Sequence, residues 1–369
     1  MRFIKRIFIT LLCIITALLV SIFFYMQQSS FGKLPAAERL ELIRKSSNYK
    51  NGSFDNLSPT NMLAEGTSYF KIIRRSLKNT PNRSPLQSLP TVNALFSNEI
   101  DSSDIVTWFG HSSYLIQSGG INLLVDPVFS KRASFAQYIG PSAYPGTMLY
   151  TLANIPSIDY VIITHDHYDH LDYGTISLLK DKVKQFYTPL GVGAHLEHWG
   201  IEASRITELD WWQKTTVTTG IELTATPARH FSGRGIVRNK TLWASYVLKT
   251  MNSKLYLGGD SGYDTHFKTI GDTYGPFDLA ILENGQYDTN WPNIHMMPEE
   301  TAQASVDLQA KVLLPVHWGK FTLAVHEWND PAIRIAKRAA ELKVRLTMPK
   351  IGEQIIINSV YPFGEWWLL

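Results

Sequence analysis

Residues 7–26 run IFITLLCIITALLVSIFFYM, twenty positions without a charge. As a helix rising 1.5 Å per residue, such a run is about 30 Å long, the thickness of a bilayer's hydrocarbon core. The pattern predicts one N-terminal transmembrane helix. Arg2, Lys5 and Arg6 precede it and the uncharged QQSSFG follows. By the positive-inside rule the N-terminus then lies in the cytoplasm and the rest of the chain across the membrane, in the periplasm if the cell is bacterial. A cleaved signal peptide is the competing reading. The run is long for one, and no A-x-A-like site follows it closely.

Residues 27–100 are rich in Ser, Asn, Pro and Lys. They read as a linker, a short helix near 36–46 and an extended segment. From 104 onward short β-rich runs appear: IVTWF (105–109), INLLVD (121–126), YVIIT (160–164), IELTATP (221–227), LWASYVL (242–248), KLYLGG (254–259), LAILE (279–283) and KVLLPV (311–316). Several are continuously apolar, as strands covered on both faces are. Helical patterns lie at 172–181, 298–310 and 331–343, with Pro298 and Pro331 suited to first turns. No repeat of 20–50 residues is evident. The mixture predicts an α/β sandwich of layers. The expected organisation is an anchor at 1–30, an N-terminal extension at 31–103 and one domain at 104–369.

Composition adds little to this picture. Hydrophobic residues make up 44% and charged residues 18%, which fits an ordered globular chain. The formal net charge of +3 is matched by Arg2, Lys5 and Arg6 alone, leaving a near-neutral remainder. Bulk charge therefore gives no reason to expect a nucleic-acid partner. The single cysteine, Cys13, sits inside the apolar run, so no disulfide can form within the chain. Sequons at Asn51, Asn56, Asn82 and Asn239 matter only in a eukaryotic secretory pathway.

The chemistry is concentrated in THDHYDHLD at 164–172. His165 and His167 are two apart after an apolar strand, so they point to one side and can share an ion. Asp169 and His170 lie on the turn beyond and can reach a second. His230, Asp260 and His317 each follow a β-like run. Strand ends on one sheet edge converge, and imidazole with carboxylate suits zinc. A carboxylate shared between two ions makes a two-metal site. Iron or manganese in one position stays open, since metal choice follows availability as well as ligand type.

The order H-x-H-x-D-H, then a lone His, a lone Asp and a last His, resembles the metallo-β-lactamase superfamily. That resemblance implies a four-layer αββα sandwich. It implies a first zinc on His165, His167 and His230, a second on Asp169, His170 and His317, and Asp260 bridging. The stretches HYDHLD, ELDWW (208–212), TLWASY (241–246), GGDSGY (258–263), HMMPEE (295–300) and HWGKF (317–321) are most like the N-acyl-phosphatidylethanolamine-hydrolysing phospholipase D group. WFGHSSYLI (108–116) and LLVDPVFS (123–130) match as well, so the likeness covers most of 100–325. The N-terminal helix and the short region after 331 depart from that group.

The expected activity is metal-assisted hydrolysis of a phosphodiester, with Asp169 and Asp260 at the metals. His295 would position a phosphoryl oxygen or protonate the leaving group, with a helix-capping or surface role as its alternative. Tyr263, Trp291 and Trp318, together with Tyr287 and Phe321, could line an acyl groove or could be core. His111 could support the site or be structural; Asp126 and Asp172 could orient ligating histidines or shape turns. No role is assigned to His195, His198, His266 or His326. G-D-S-G at 259–262 looks like a serine-protease motif, but Ser261 has no evident base. The partners expected are a membrane and a phospholipid substrate. A lactonase or other ester hydrolase of the same superfamily is the alternative enzyme, and an inert membrane-anchored scaffold the alternative of another class.

Overall fold

The apolar run folds as α1 (Arg2–Tyr25), with no buried residue and enough length to cross a bilayer core. The computed structural model describes residues 2–77, 81–96 and 103–369. Positions 78–80 and 97–102 of the extension lie outside the described residues. The short helix expected near 36–46 is α2 (Ala37–Ile43). A hairpin of β1 (Tyr49–Lys50) and β2 (Ser53–Phe54) follows, then α3 (Tyr69–Ser76), whose first turn is capped by the Ser68 side chain. This stretch is more than a linker. Ile43 and Phe54 are fully buried in the main core, and the Phe54 N–H donates to the Asn239 carbonyl at 2.8 Å.

Two sheets follow. The first takes β3 (Ile105–Trp108), β4 (Tyr114–Ser118), β5 (Ile121–Val125), β6 (Tyr160–Ile162), β7 (Gln185–Pro189) and β8 (Ile206–Leu209), with α4 (Tyr173–Leu179) and α5 (Gly193–His198) in its crossovers. The second takes β9 (Lys214–Thr218), β10 (Ile221–Thr226), β11 (Ser245–Lys249), β12 (Lys254–Leu257), β13 (Leu279–Glu283) and β14 (Leu313–Val316), with α6 (His266–Tyr274) and α7 (Pro298–Asp307) between its last strands. α8 (Asp330–Leu342) packs on α7, and β15 (Gln354–Ile356) returns to the first sheet beside β3. The strand orders are β15-β3-β4-β5-β6-β7-β8 and β14-β13-β12-β11-β10-β9. Helices cover the outer faces, giving the expected αββα sandwich.

Every β-rich run expected from the sequence contains a strand. LWASYVL starts its strand only at Ser245, because the preceding Ala244 N–H donates to the Thr164 carbonyl of the other sheet at 2.9 Å. Between the sheets Ile116, Leu123, Ile162, Leu223, Tyr246 and Leu255 are fully buried. Each such side chain contributes about 1.5–3 kcal/mol by leaving water. The Tyr246 hydroxyl, unable to reach solvent, donates to the Ile163 carbonyl at 2.8 Å.

Strand direction places the site. β5 to β8 run parallel, and β3 is two antiparallel steps from β5, so it runs with them. β12, β13 and β14 are parallel, and β10 is two antiparallel steps from β12. The chain therefore leaves the carboxyl ends of β3, β5, β6, β10, β12, β13 and β14 in the same sense. The residues just beyond them include His111, Asp126, the 165–170 cluster, His230, Asp260 and His317.

Candidate metal centre

These loops converge. His165, His167, His230 and Asp260 form one group whose ligand-type atoms lie within 4.8 Å of one another, and His111, Asp169, His170 and His317 form a second. Asp260 also groups with His295 and His317. All seven residues expected as ligands stand in these two groups. His111, left undecided, stands among them.

In the first group His165 Nε2 lies 2.9 Å and His230 Nε2 3.2 Å from His167 Nδ1. The Asp260 Oδ2 oxygen is 3.8 Å from the former and 3.7 Å from the latter. Four ligands on a tetrahedral ion with bonds of about 2.0–2.1 Å would stand about 3.3 Å apart. The spacing brackets that value. His230 donates its Nδ1–H to the Ile294 carbonyl at 2.8 Å, which leaves Nε2 with a bare lone pair aimed at His167. Lone pairs crowded together in a buried site call for a cation, so this donor set fits a metal ion.

In the second group His170 Nε2 lies 3.2 Å from Asp260 Oδ2 and 3.6 Å from Asp169 Oδ2. It is buried without a hydrogen-bond partner among the described residues. Its other nitrogen faces Asp126 Oδ2 at 2.7 Å, and Asp126 also accepts from the Thr164 N–H and hydroxyl. Asp126 therefore orients a histidine, one of its two expected roles. Asp172 takes the other: it caps α4, accepting from Gly174 and Thr175 N–H, and holds Ser130 N–H at 3.1 Å. His317 Nε2 is 4.0 Å from Asp169 Oδ2, and its Nδ1 is 3.1 Å from Asp260 Oδ1.

Burial first, then neighbouring imidazoles, pushes His165 well below the usual histidine range; burial also pushes His230 and His317 down. These rings are neutral, as metal ligands must be. Burial alone would raise Asp169 and Asp260, but the adjacent histidines hold both well below the carboxylate range. His170 moves the other way: Asp260, Asp169 and Asp126 outweigh burial and raise it.

The backbone is strained where the loops meet. His111, Asp126 and His317 take φ of 53°, 40° and 65°. Non-glycine residues in that region cost of order 1–3 kcal/mol each and persist when surroundings over-determine them. Here His111 N–H donates to the Trp318 carbonyl and His317 N–H to the His111 carbonyl, at 3.0 and 2.9 Å. The His111 ring meets Asp169 Oδ2 at 2.9 Å, so His111 steadies a carboxylate of the second group. Gly259, with φ of 60°, passes Thr164 so closely that an added Cβ would sit 2.9 Å from the Thr164 Cβ. This contact joins the Asp260 and His165 loops.

A cleft of about 310 Å³ opens over His167, Asp169, His230, Asp260, His295 and His317. Its walls are Met62, Leu63, Ile72, Phe231, Arg238, Gln286, Trp291, Ile294 and Leu323. Trp291 and His295 are thus where the sequence expected them. Trp318 and Tyr263 are not. Trp318 is buried against Trp108 and Trp366, with Nε1 donating to the Pro315 carbonyl, and Tyr263 turns its hydroxyl to Asp307. Tyr287 and Phe321 are likewise buried. Aromatic density near the ligand loops reflects core here. Met62, Leu63 and Ile72 come from the extension, where composition showed only a polar tether. Asn56 from the same stretch accepts the His230 N–H and donates to its carbonyl, at 3.0 and 2.8 Å.

His195 has a place that spacing could not reveal. Its Nδ1 accepts the Lys33 N–H at 3.0 Å, so Nε2–H points to Asp166 Oδ2 at 3.3 Å. Asp166, between His165 and His167, also accepts from Gly233 N–H and the Thr241 hydroxyl. Burial opposes its charge, yet these donors and His195 hold it below the carboxylate range.

The comparisons with known proteins agree with this geometry. The family model described as beta-lactamase superfamily domain matches residues 121–318. An uncharacterized protein of Mycobacterium tuberculosis is 39% identical over 341 residues, covering 90% of this chain and 91% of its own. The N-acyl-phosphatidylethanolamine-hydrolyzing phospholipase D 1 of Caenorhabditis elegans is 32% identical over 280 residues, 71% of this chain and 78% of its own. Among solved structures, Igni18, a metallo hydrolase from Ignicoccus hospitalis, superposes with a TM-score of 0.54 at 19% identity, over 70% of this chain and all of that one. Matched over more than half its length by the family model, and over most of it by these relatives, the chain is a metal-dependent hydrolase that belongs to the metallo-β-lactamase superfamily, in the branch of the N-acyl-phosphatidylethanolamine-hydrolysing phospholipases D.

Proposed function

We propose that the chain is a two-zinc phosphodiesterase of phospholipase D type, anchored in a membrane by α1 and acting on N-acyl-phosphatidylethanolamine or a related glycerophospholipid. The observation that carries this reading is the cleft itself. Asp260, at its floor, belongs to the first donor group and lies 3.2 and 3.1 Å from His170 and His317 of the second, and its walls are apolar apart from Arg238 and Gln286. A charged diester flanked by acyl chains has that same division of polarity.

His165, His167 and His230 would hold one ion, Asp169, His170 and His317 the other, with Asp260 between them. Such ions, when bound, supply a lowered pKa for attacking water, about 7 at zinc, and neutralise charge on phosphoryl oxygens. The protein groups supply orientation. Asp126 fixes His170 and the Ile294 carbonyl fixes His230, each through the nitrogen away from the floor. Arg238 in the wall places a cation beside the phosphoryl group. His295 faces the floor beside His230 and His317 and carries the proton to the leaving oxygen. Water's oxygen joins phosphorus, the bond from phosphorus to the ethanolamine oxygen breaks, and that oxygen takes the proton. The products are N-acylethanolamine and phosphatidic acid.

The test is elemental analysis of the purified full chain followed by assay against N-acyl-phosphatidylethanolamine. Two zincs per chain with release of both products is expected. Two metals without lipid turnover would overturn the substrate assignment and favour a lactone or soluble ester. Absence of metal and of turnover would favour an inert scaffold.

A further inference from the structure

α1 does not leave the domain through a free tether. The Ser30 carbonyl accepts from Arg234 Nη2 at 2.7 Å, and the Ser29 carbonyl accepts from Trp199 Nε1 at 2.7 Å. Phe31 stacks on Phe135, and the Tyr25 hydroxyl meets that of Tyr138. A methyl group added at Gly235 would stand 3.2 Å from Met26 Cε. The end of α1 is therefore seated between two loops, at 135–140 and 233–239, and the domain takes a fixed attitude to it.

Both loops turn apolar side chains outward beside α1. Tyr138 is 74% and Ile236 80% exposed, and their neighbours Ile139 and Val237 are exposed too. The second loop runs on to Arg238, in the cleft wall that also contains Ile72 of α3. Arg75 is paired with Asp288 at 3.0 Å, which holds that side of α3 to the domain. Residues at i, i+3 and i+7 share a helix face. Phe70, Ile73 and Leu77 make such a stripe on the side away from Ile72, with Phe70 74% and Leu77 82% exposed. Lys71 and Arg74 flank it. An apolar stripe edged by basic residues is the pattern of a helix lying in a bilayer interface.

We propose that α3 and the loop tips at 138–139 and 236–237 are a membrane-contacting face, which seats the cleft mouth at headgroup level in the leaflet where α1 ends. The basic flank favours anionic headgroups. This inference rests on α1 being membrane-embedded; it does not depend on which ester is cleaved. Its consequence is that substrate enters sideways from the leaflet.

The test uses the full chain with Cys13→Ser, reconstituted in vesicles of phosphatidylethanolamine and phosphatidylglycerol. Single cysteines at Leu19, Ile73, Ile236 and Met251 carry a fluorophore, read against a lipid-borne quencher and against aqueous iodide. Met251, exposed on the β11–β12 turn, is the aqueous control. Labels at Ile73→Cys and Ile236→Cys are expected to be quenched by the lipid-borne group at least about five-fold more than that at Met251→Cys. Iodide should show the reverse order. Lipid quenching at Leu19→Cys alone would overturn the proposal while leaving the anchor intact. Shielding of Ile73→Cys and Ile236→Cys from both quenchers would overturn it in favour of a second copy of the chain on that face. No lipid quenching at Leu19→Cys would remove the anchor and the proposal together.

Discussion

Glu283 Oε2 stands 3.6 Å from His295 Nδ1, and neither atom has a hydrogen-bond partner among the described residues. Glu283 closes β13, and its other oxygen accepts the Met296 N–H at 2.6 Å. Burial pushes this carboxyl up to about 7, tempered by His295, which is itself raised: burial lowers it, and Glu283 more than compensates. The pair resembles the base-and-orienter arrangement by which a buried carboxylate aims an imidazole.

If His295 delivers the leaving-group proton, His295→Ala should lower kcat about 100-fold or more with both metals retained. Glu283→Gln keeps the acceptor for Met296 and should lower kcat by a smaller factor, with a shifted pH profile. Wild-type kcat and profile in Glu283→Gln would leave Glu283 a purely structural role.

Asp260→Asn should abolish turnover and reduce the metal content of both groups, since one carboxylate serves both. Asp126→Asn should act on one. Loss of an orienting partner typically costs about 10–100-fold in metal affinity, and the loss should fall on the ion held by His170. Competition with a graded chelator series separates the two. Equal weakening of both ions would contradict the division of ligands.

Asn56→Ala removes both hydrogen bonds to the His230 backbone and the one from Trp243 Nε1. A lower melting temperature is expected, corresponding to about 1–3 kcal/mol, with weaker metal retention at His165, His167 and His230. Unchanged stability would mean that Asn56 does not brace the His230 loop.

Most of the metal centre was legible because its ligands sit where strands end, and strand ends are marked by apolar runs. A layered α/β sandwich followed from the same runs, and its αββα order from the resemblance to the metallo-β-lactamase superfamily. β8 (ITEL) and β9 (KTTVT) escaped because edge strands carry little apolar signal, β4 (YLIQS) and β7 (QFYTP) because polar residues interrupt theirs, and three-residue β15 because it is too short. The cleft walls escaped for another reason. Met62, Leu63 and Ile72 lie about a hundred residues before the nearest ligand histidine in the 165–170 cluster, and only tertiary packing brings them there. Trp318 was misplaced because nearness to a ligand in sequence says nothing about which way an aromatic turns.

Lys320 is buried, with its ammonium donating to the Val128 carbonyl at 2.9 Å, and burial lowers its pKa to about 8. Below pH 8 it is charged in both folded and unfolded chains, and the folded state bears the full cost of that charge. The unfolded chain keeps its proton up to its ordinary 10.5. Stability relative to Lys320→Met should therefore rise from pH 8 to pH 10.5, by as much as about 3 kcal/mol. Thermal melts of both proteins across that range check it; a flat difference would mean the group is not desolvated.

Arg234 spans two territories. One nitrogen holds the Asp166 and Leu171 carbonyls, each at 2.7 Å, in the loop that carries the histidine cluster; the others hold Ser30, five residues past α1. Residues 29 and 30 therefore belong mechanically to the hydrolase. Cutting the chain at 31 to make it soluble would strip Arg234 and Trp199 of their acceptors and slacken the loop they brace. A water-soluble form that keeps both braces has to include Ser29 and Ser30.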